Sequence, residues 1–314
     1  MKHKNTKTRY RLRNWREYNR ALVQRGSLTL WITEDVVQTW HPTAPEPKRG
    51  HPRLYTDTAI ATMATLQEIY HLGMRQTEGL MESIGAILHL EVAIPDYSTL
   101  SRRRATLEVT LPRTRRTEAL HVVVDSTGVK VFGEGEWKVR QHGYTYRRTW
   151  RKVHVGVDEA SGEIVAAVVT TNNYHDSQLL PDLLAQVEEE IKQVSGDGAY
   201  DRRTCYEAIR ARHAQATIPP QRNAKIWQHG NTQSERLARD QNLRRIRQVG
   251  RAAWKRESSY PRRSLAESTM FRLKTIFGER VTARGFAGQA AQLLVRCAAL
   301  NRLIQLGKPD SYRA

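Results

Sequence analysis

Apolar positions along this chain recur at two spacings, one helical and one extended, in stretches separated by polar or Gly/Pro-containing segments. From Thr56 onward, Ala59, Met63, Leu66 and Tyr70 share one helical face. Leu80, Ile84, Ile87 and Leu88 share another, with His71-Leu72-Gly73 between the two helices. Asp96, just after Pro95, predicts the cap of a third helix that ends in Arg102, Arg103 and Arg104. Upstream, Tyr10, Trp15, Tyr18, Leu22 and Val23 among arginines predict an amphipathic helix over 9–24, and 27–40 predicts a second, short one. The proline-rich segment 41–50 breaks any helix and reads as a linker.

The pattern changes after residue 118. His121-Val122-Val123-Val124-Asp125 is β-branched, which predicts a buried strand delivering a carboxylate at its end. Segments 152–158 and 163–171 predict two more strands, joined by a turn at Glu159-Ala160-Ser161-Gly162. Leu180, Leu183, Val187 and Ile191 predict a helix whose first turn tolerates Pro181. The chain then returns through Val194-Ser195 to Gly196-Asp197-Gly198, where glycines on both sides present a second acid at the end of a short strand. Read on its own, Asp197 is equally an ordinary turn acid. Asp201 reads as the cap of a helix reaching about His213, and 216–218 as a further strand.

The stretch 260–278 carries the densest chemistry. At about 100° per residue, Tyr260, Arg263, Glu267 and Lys274 fall within an arc of roughly 60°. Ala266, Met270, Leu273 and Phe277 form a core-facing stripe beside them, and Gly278 is a stop signal. Two readings of Glu267 stand open. It is a carboxylate flanked by cations on a rigid element, suited to a metal ion beside a phosphate track. Otherwise Ser264-x-x-Glu267 is a capping box, the helix starts at Ser264, and Tyr260 and Arg263 lie outside it. Residues 287–306 predict an amphipathic closing helix.

Charge narrows the partners. The 314 residues hold 51 Lys+Arg against 32 Asp+Glu, a net charge of +19, so a polyanion is expected and nucleic acid comes first. An anionic membrane is the weaker candidate, since no run approaches the roughly 18 apolar residues of a spanning helix. The first residues lead into no apolar signal core. Two cysteines, Cys205 and Cys297, are too few for a disulfide framework or a structural zinc site, and a reducing cytoplasm is expected. Two basic stretches stand out. Residues 138–152 hold six basic residues and no acid, with Tyr144, Tyr146 and Trp150 interleaved; residues 221–263 hold twelve basic and three acidic residues. Such mixtures suit phosphates and unstacked bases.

With these residues in view, the chain resembles a known family. Tyr260, two residues, Arg263, three residues, Glu267, six residues and Lys274 resemble the YREK signature of DDE transposases of bacterial insertion sequences. Val124-Asp125-Ser126-Thr127 and Gly196-Asp197-Gly198-Ala199-Tyr200-Asp201 resemble the settings of that family's first and second acids. The similarity spans about 119–307, and 49–107 resembles the helical N-terminal region of the group named for insertion sequence five. The resemblance implies an α/β, ribonuclease-H-like mixed sheet with flanking helices, Mg2+ or Mn2+ dependence, and cleavage and joining of DNA at element ends. It assigns Tyr260, Arg263 and Lys274 to contacts with the DNA end.

Phosphodiester displacement reaches the same residues by chemistry. Two divalent ions about 3.5–4 Å apart activate the nucleophile and stabilise the leaving oxygen, and hard oxygen ligands hold them. Asp125, Asp197 and Glu267 are the expected catalytic and metal-binding set. Arg147, Arg148, Trp150, Arg151 and Lys152, with Arg102, Arg103 and Arg104 on a helix-turn-helix-like third helix, are the expected DNA contacts beside the signature residues. The expected organisation is a helical DNA-binding domain over 1–110, a linker at 111–118, a catalytic domain over 119–307 with a basic insertion around 221–257, and a tail at 308–314. Double-stranded DNA is the expected partner, bound by a homodimer or higher assembly at the bacterial nucleoid, and no membrane is involved.

Overall fold

The computed structural model describes residues 10–43, 52–132, 150–228 and 236–313. Strand β1 (Tyr10–Leu12) precedes α1 (Trp15–Gln24), and a 3-10 turn at Leu28–Leu30 leads to the short α2 (Glu34–Gln38). Three helices follow, α3 (Asp57–Ile69), α4 (Met74–Ile87) and α5 (Tyr97–Arg104). Their starts are set locally. The Thr56 side chain accepts the N–H of Ala59, and Asp96 accepts those of Ser98 and Thr99, as good caps do. Most of the predicted linker at 41–50 lies outside the described residues.

The sheet is built around β2 (Leu120–Val131). Along one edge β3 (Trp150–Asp158) runs antiparallel to it, and β4 (Ile164–Thr171) runs antiparallel to β3. After α6 (Leu180–Ala185), β5 (Ile191–Ser195) joins the other edge of β2 in parallel; after α7 (Arg203–Ala211), β6 (Gln215–Thr217) joins β5. Helices α8 (Ala238–Val249), α9 (Arg251–Glu257) and α10 (Ser264–Phe277) precede β7 (Arg280–Val281), which pairs with the far end of β2. The long α11 (Phe286–Gln305) and β8 (Ser311–Arg313) close the chain. The order is β4-β3-β2-β5-β6 with β7 beside β2, a six-stranded mixed sheet among the described residues. With helices on both faces, it has the layout expected of a ribonuclease-H-like core.

Alternation along β2 divides the core. Val123, Val129 and Val131 pack with α10, α11 and the N-terminal helices, while Leu120, Val122 and Val124 pack with α6 and α7. The first of these cores is continuous from Trp31, Ile60 and Met81 to Val123 and Phe277, so no separate apolar centre divides the N-terminal helices from the sheet. A buried ionic cluster crosses the same seam. Glu68 of α3 accepts from Arg296 Nε of α11 at 2.7 Å and from Gln292 Nε2 at 3.1 Å, and lies 3.7 Å from Arg104 of α5.

Four expectations, those for Asp125, Ile191, Asp201 and Arg104, are corrected here. Asp125 does not end its strand, because β2 runs six residues further against β3 and β7. Ile191 belongs to β5 and not to a helix, since it pairs with Leu120; a short apolar run satisfies either period until its partner is known. Asp201 caps nothing: it is buried, bonded to Arg239 Nε at 2.7 Å, Tyr206 Oη at 3.2 Å and Gln221 N at 3.1 Å. Arg104, expected at DNA, is 2% exposed and donates to Gln67 Oε1 at 2.7 Å. The 111–118 segment is pinned to the sheet by Thr114 on Glu163 and by Asn301 on the carbonyl of Pro112. In the expected tail, β8 pairs with β1.

Candidate active site

Asp125 sits where β2 loses a neighbour. β5 pairs with residues 120–123 and β7 with 130–131, so between them this edge of β2 faces no strand among the described residues. Val123 pairs in parallel with Ser195, the last residue of β5, so the turn that follows carries Asp197 past the paired strand end toward the level of Asp125. The glycine before Asp197 is required by space. A Cβ at Gly196 would lie 2.8 Å from Tyr200 Cδ2 and 3.1 Å from Val124 Cγ2. Asp197 itself caps the 3-10 turn Gly198–Tyr200, accepting Ala199 N–H at 2.9 Å, which folds the Tyr200 ring beneath Gly196.

Glu267 arrives from α10, whose Ala266, Met270, Leu273 and Phe277 are buried as the stripe predicts. The capping-box hydrogen bond is absent. The helix nevertheless starts at Ser264, with Tyr260–Arg263 as a 3-10 turn before it, but Arg263, itself in α-helical conformation, still stands one turn before Glu267 and pairs with it. What joins Arg263 to Asp125 is tertiary, its Nη1 donating to Asp125 Oδ2 at 3.2 Å, whereas its pair with Glu267, four residues on, is local. Asp125 also accepts the N–H of Ser126 on Oδ1 at 2.8 Å. Burial raises the pKa of Asp125, and the charges of Asp197 and Glu267 add to the rise against the opposing pull of Ser126 N–H and Arg263. Asp197 and Glu267 thus lie near enough to Asp125 for their charges to act on it.

Cations and aromatics border it. Lys255 Nζ lies 5.0 Å and Arg263 Cζ 5.9 Å from the Tyr260 ring, which in turn leans on Trp254 at 5.9 Å. Lys274 is partly exposed on α10, two turns beyond Glu267, and forms no ion pair among the described residues.

The other expected DNA contacts divide. Arg147 and Arg148 lie outside the described residues. Trp150 packs over Gly128 and under Lys130 Nζ, 5.6 Å from its ring. Arg151 is engaged by Gln289 Oε1 at 2.6 Å, and Lys152 by Asp176 Oδ1 at 2.6 Å. On α5, Arg103 pairs with Asp57 at 2.6 Å, leaving Arg102 as the exposed arginine of the run. Sequence inspection passed over Asp176, an acid among turn residues with no local pattern to mark it.

The donors fit a hard divalent cation in kind, being carboxylate oxygens at an open strand edge. Their arrangement is incomplete. No three acids, cysteines or histidines among the described residues are drawn together as a ready metal cluster, and Arg263 supplies the positive charge between Asp125 and Glu267.

Comparison with known families agrees with this geometry. Two family models, each described as a transposase DDE domain, match residues 23–134 and 116–302. The second spans more than half of the chain and contains Asp125, Asp197 and Glu267, and a mixed sheet with helices on both faces is the fold it calls for. The chain belongs to the DDE transposase family.

Proposed function

We propose that this transposase binds the ends of its own mobile element and there cleaves and joins DNA strands, with Asp125, Asp197 and Glu267 holding Mg2+ or Mn2+. The observation that carries this is Asp125 at the unpaired edge of β2, bonded to Arg263, which also pairs with Glu267 of α10, with Asp197 in the turn that follows the neighbouring β5. When bound, the divalent ions would supply an activated nucleophile and neutralise charge on the leaving oxygen. The protein's own groups then do the positioning. Arg263 can release its two carboxylates and grip a phosphate with a bidentate fork, while Lys274 offers a point charge further along, on α10. Glu267, with a half-exposed side chain, is free to turn toward Asp125 once Arg263 leaves.

DNA beyond the reacting end would run over α8 and α9, whose Arg244, Arg245, Arg247, Arg251, Lys255 and Arg256 add charge, and over Arg102 of the helical 1–110 region. Arg239 of the same basic segment is excluded by its burial. Assembly as a dimer or larger complex on DNA at the nucleoid, and membership of the group named for insertion sequence five, belong to the same proposal. No helix among the described residues is long and apolar enough to cross a membrane.

The test is incubation of the purified protein with duplexes carrying the element's own ends, with Mg2+ or with a chelator. Metal-dependent nicking confined to those ends is expected. End binding without nicking would make the protein an inactive DNA-binding relative, and nicking that ignores the ends a structure-selective nuclease. Lys274→Ala is expected to weaken the end complex and to lower the slope of log affinity against log salt by roughly one unit, one phosphate contact. An unchanged slope would leave Lys274 a solvated surface residue.

A further inference from the structure

Behind Asp125, on the opposite face of the sheet, lies a polar cluster that the proposed chemistry does not use. Asp176 opens the 3-10 turn Asp176–Gln178, against the sheet and beside the Gly198–Tyr200 turn. Its Oδ1 accepts from Ser126 Oγ at 2.7 Å and from Lys152 Nζ at 2.6 Å, and lies 3.5 Å from His154 Nδ1. His154 is fully buried, stands opposite Ser126 in the strand pairing, and engages Thr170 through Nε2 at 2.9 Å. Burial pushes its pKa down to about 4, so it is neutral at physiological pH and Lys152 is the cation that balances Asp176. Burial also disfavours ionised Asp176, but the hydrogen bonds from Lys152 and Ser126 outweigh it and hold its carboxyl below the usual range.

Ser126 connects the two faces. Its side chain is held by Asp176, while its backbone N–H donates to Asp125 Oδ1. The connection matters because residues 124–129 of β2 have a strand on one side alone among the described residues, so no second ladder holds this segment in place. A clamp from the other face can take over that duty.

The geometry points to Asp176 as a positioning residue for the reaction: through Ser126 it fixes the height and rotation of the Asp125 carboxylate and so prepares the site for a divalent ion. This rests on Asp125 being a metal-holding acid. Outer partners that orient a ligand typically account for about 10- to 100-fold in metal affinity.

The measurement is Mn2+ binding to the DNA-free full chain, by electron paramagnetic resonance, alongside thermal unfolding. Ser126→Ala and Asp176→Ala are each expected to weaken Mn2+ binding by roughly 10-fold or more with the unfolding midpoint little changed. Asp176→Glu should recover part of the loss, since it keeps the charge and an acceptor. If Asp176→Ala does not fold, Ser126→Ala, a deletion of one oxygen, still decides the matter. Wild-type affinity in folded Ser126→Ala, with binding lost in Asp125→Asn, overturns the role of Asp176 alone. Wild-type affinity in Asp125→Asn as well removes Asp125 from the metal site, and the role of Asp176 goes with it.

Discussion

Asparagine at position 125 is expected to reduce metal-dependent strand cleavage by about 10^3-fold or more while changing affinity for the element ends only slightly. The substitution is nearly isosteric and its amide oxygen can still accept the Ser126 N–H that Asp125 accepts at 2.8 Å. What it removes is the negative charge. A neutral oxygen is a poor ligand for Mg2+, and loss of several kcal/mol of charge stabilisation at about 1.4 kcal/mol per tenfold gives a deficit of that size. End binding is carried by phosphate contacts elsewhere, and Arg263, relieved of one carboxylate, becomes freer to join them. Gel-shift titration and a nicking assay on the same preparation measure both quantities. Near-normal nicking would exclude Asp125 from the chemistry. Asp201→Asn is the informative contrast: Asp201 is bonded to Arg239 and Tyr206 in the interior, so its loss should appear in the unfolding midpoint before it appears in the rate of the folded fraction.

The second large effect concerns stability. Glu68→Ala is expected to cost about 3–5 kcal/mol, because it strips the carboxylate from two guanidinium groups that remain buried. Arg104 and Arg296 are 2% and 4% exposed, and Glu68 lies 2.7 Å from Arg296 Nε. In a chain of this size the loss corresponds to roughly 6–10 °C in the midpoint of thermal unfolding. Glu68→Gln, which keeps an acceptor for Arg296 and Gln292, should lose less. Equal midpoints for Glu68→Ala and the parent would show that the cluster does not hold the helical region to the sheet. The same geometry bears on fragments. Removing residues 1–110 would uncover the buried side of α11 and leave Arg296 without its carboxylate, so an isolated catalytic fragment is expected to be poorly folded.

Local chemistry made much of this protein readable in advance. Thr56 and Asp96 start their helices with side-chain oxygens that reach the next free N–H groups, and Gly278, at φ +80°, stops α10 where most residues would be strained. The three acids proposed to hold metal are marked in the sequence for a similar reason. Each lies in a short segment whose own pattern marks it: Asp125 in a β-branched run, Asp197 between glycines, and Glu267 beside the apolar stripe of an amphipathic helix.

Other features depend on partners distant in sequence, and no local pattern encodes them. Arg102, Arg103 and Arg104 are three equal residues in the chain, yet Glu68 and Gln67 draw one inside, Asp57 pairs with the second, and the third stays in water. Ile191 satisfies a helical period and a strand period alike until Leu120, 71 positions earlier, pairs with it. Asp176 becomes visible only when β2 and β3 lie together and bring Ser126 and Lys152 to one carboxylate oxygen. Arg263 pairs locally with Glu267, four residues on, but its link to Asp125 spans 138 residues. Hydrophobic periodicity and capping are short-range and survive in one dimension. The choice of partner for a buried charge, and of the edge on which a strand goes unpaired, is settled by which distant segments pack together, and for this protein the tertiary structure alone decided it.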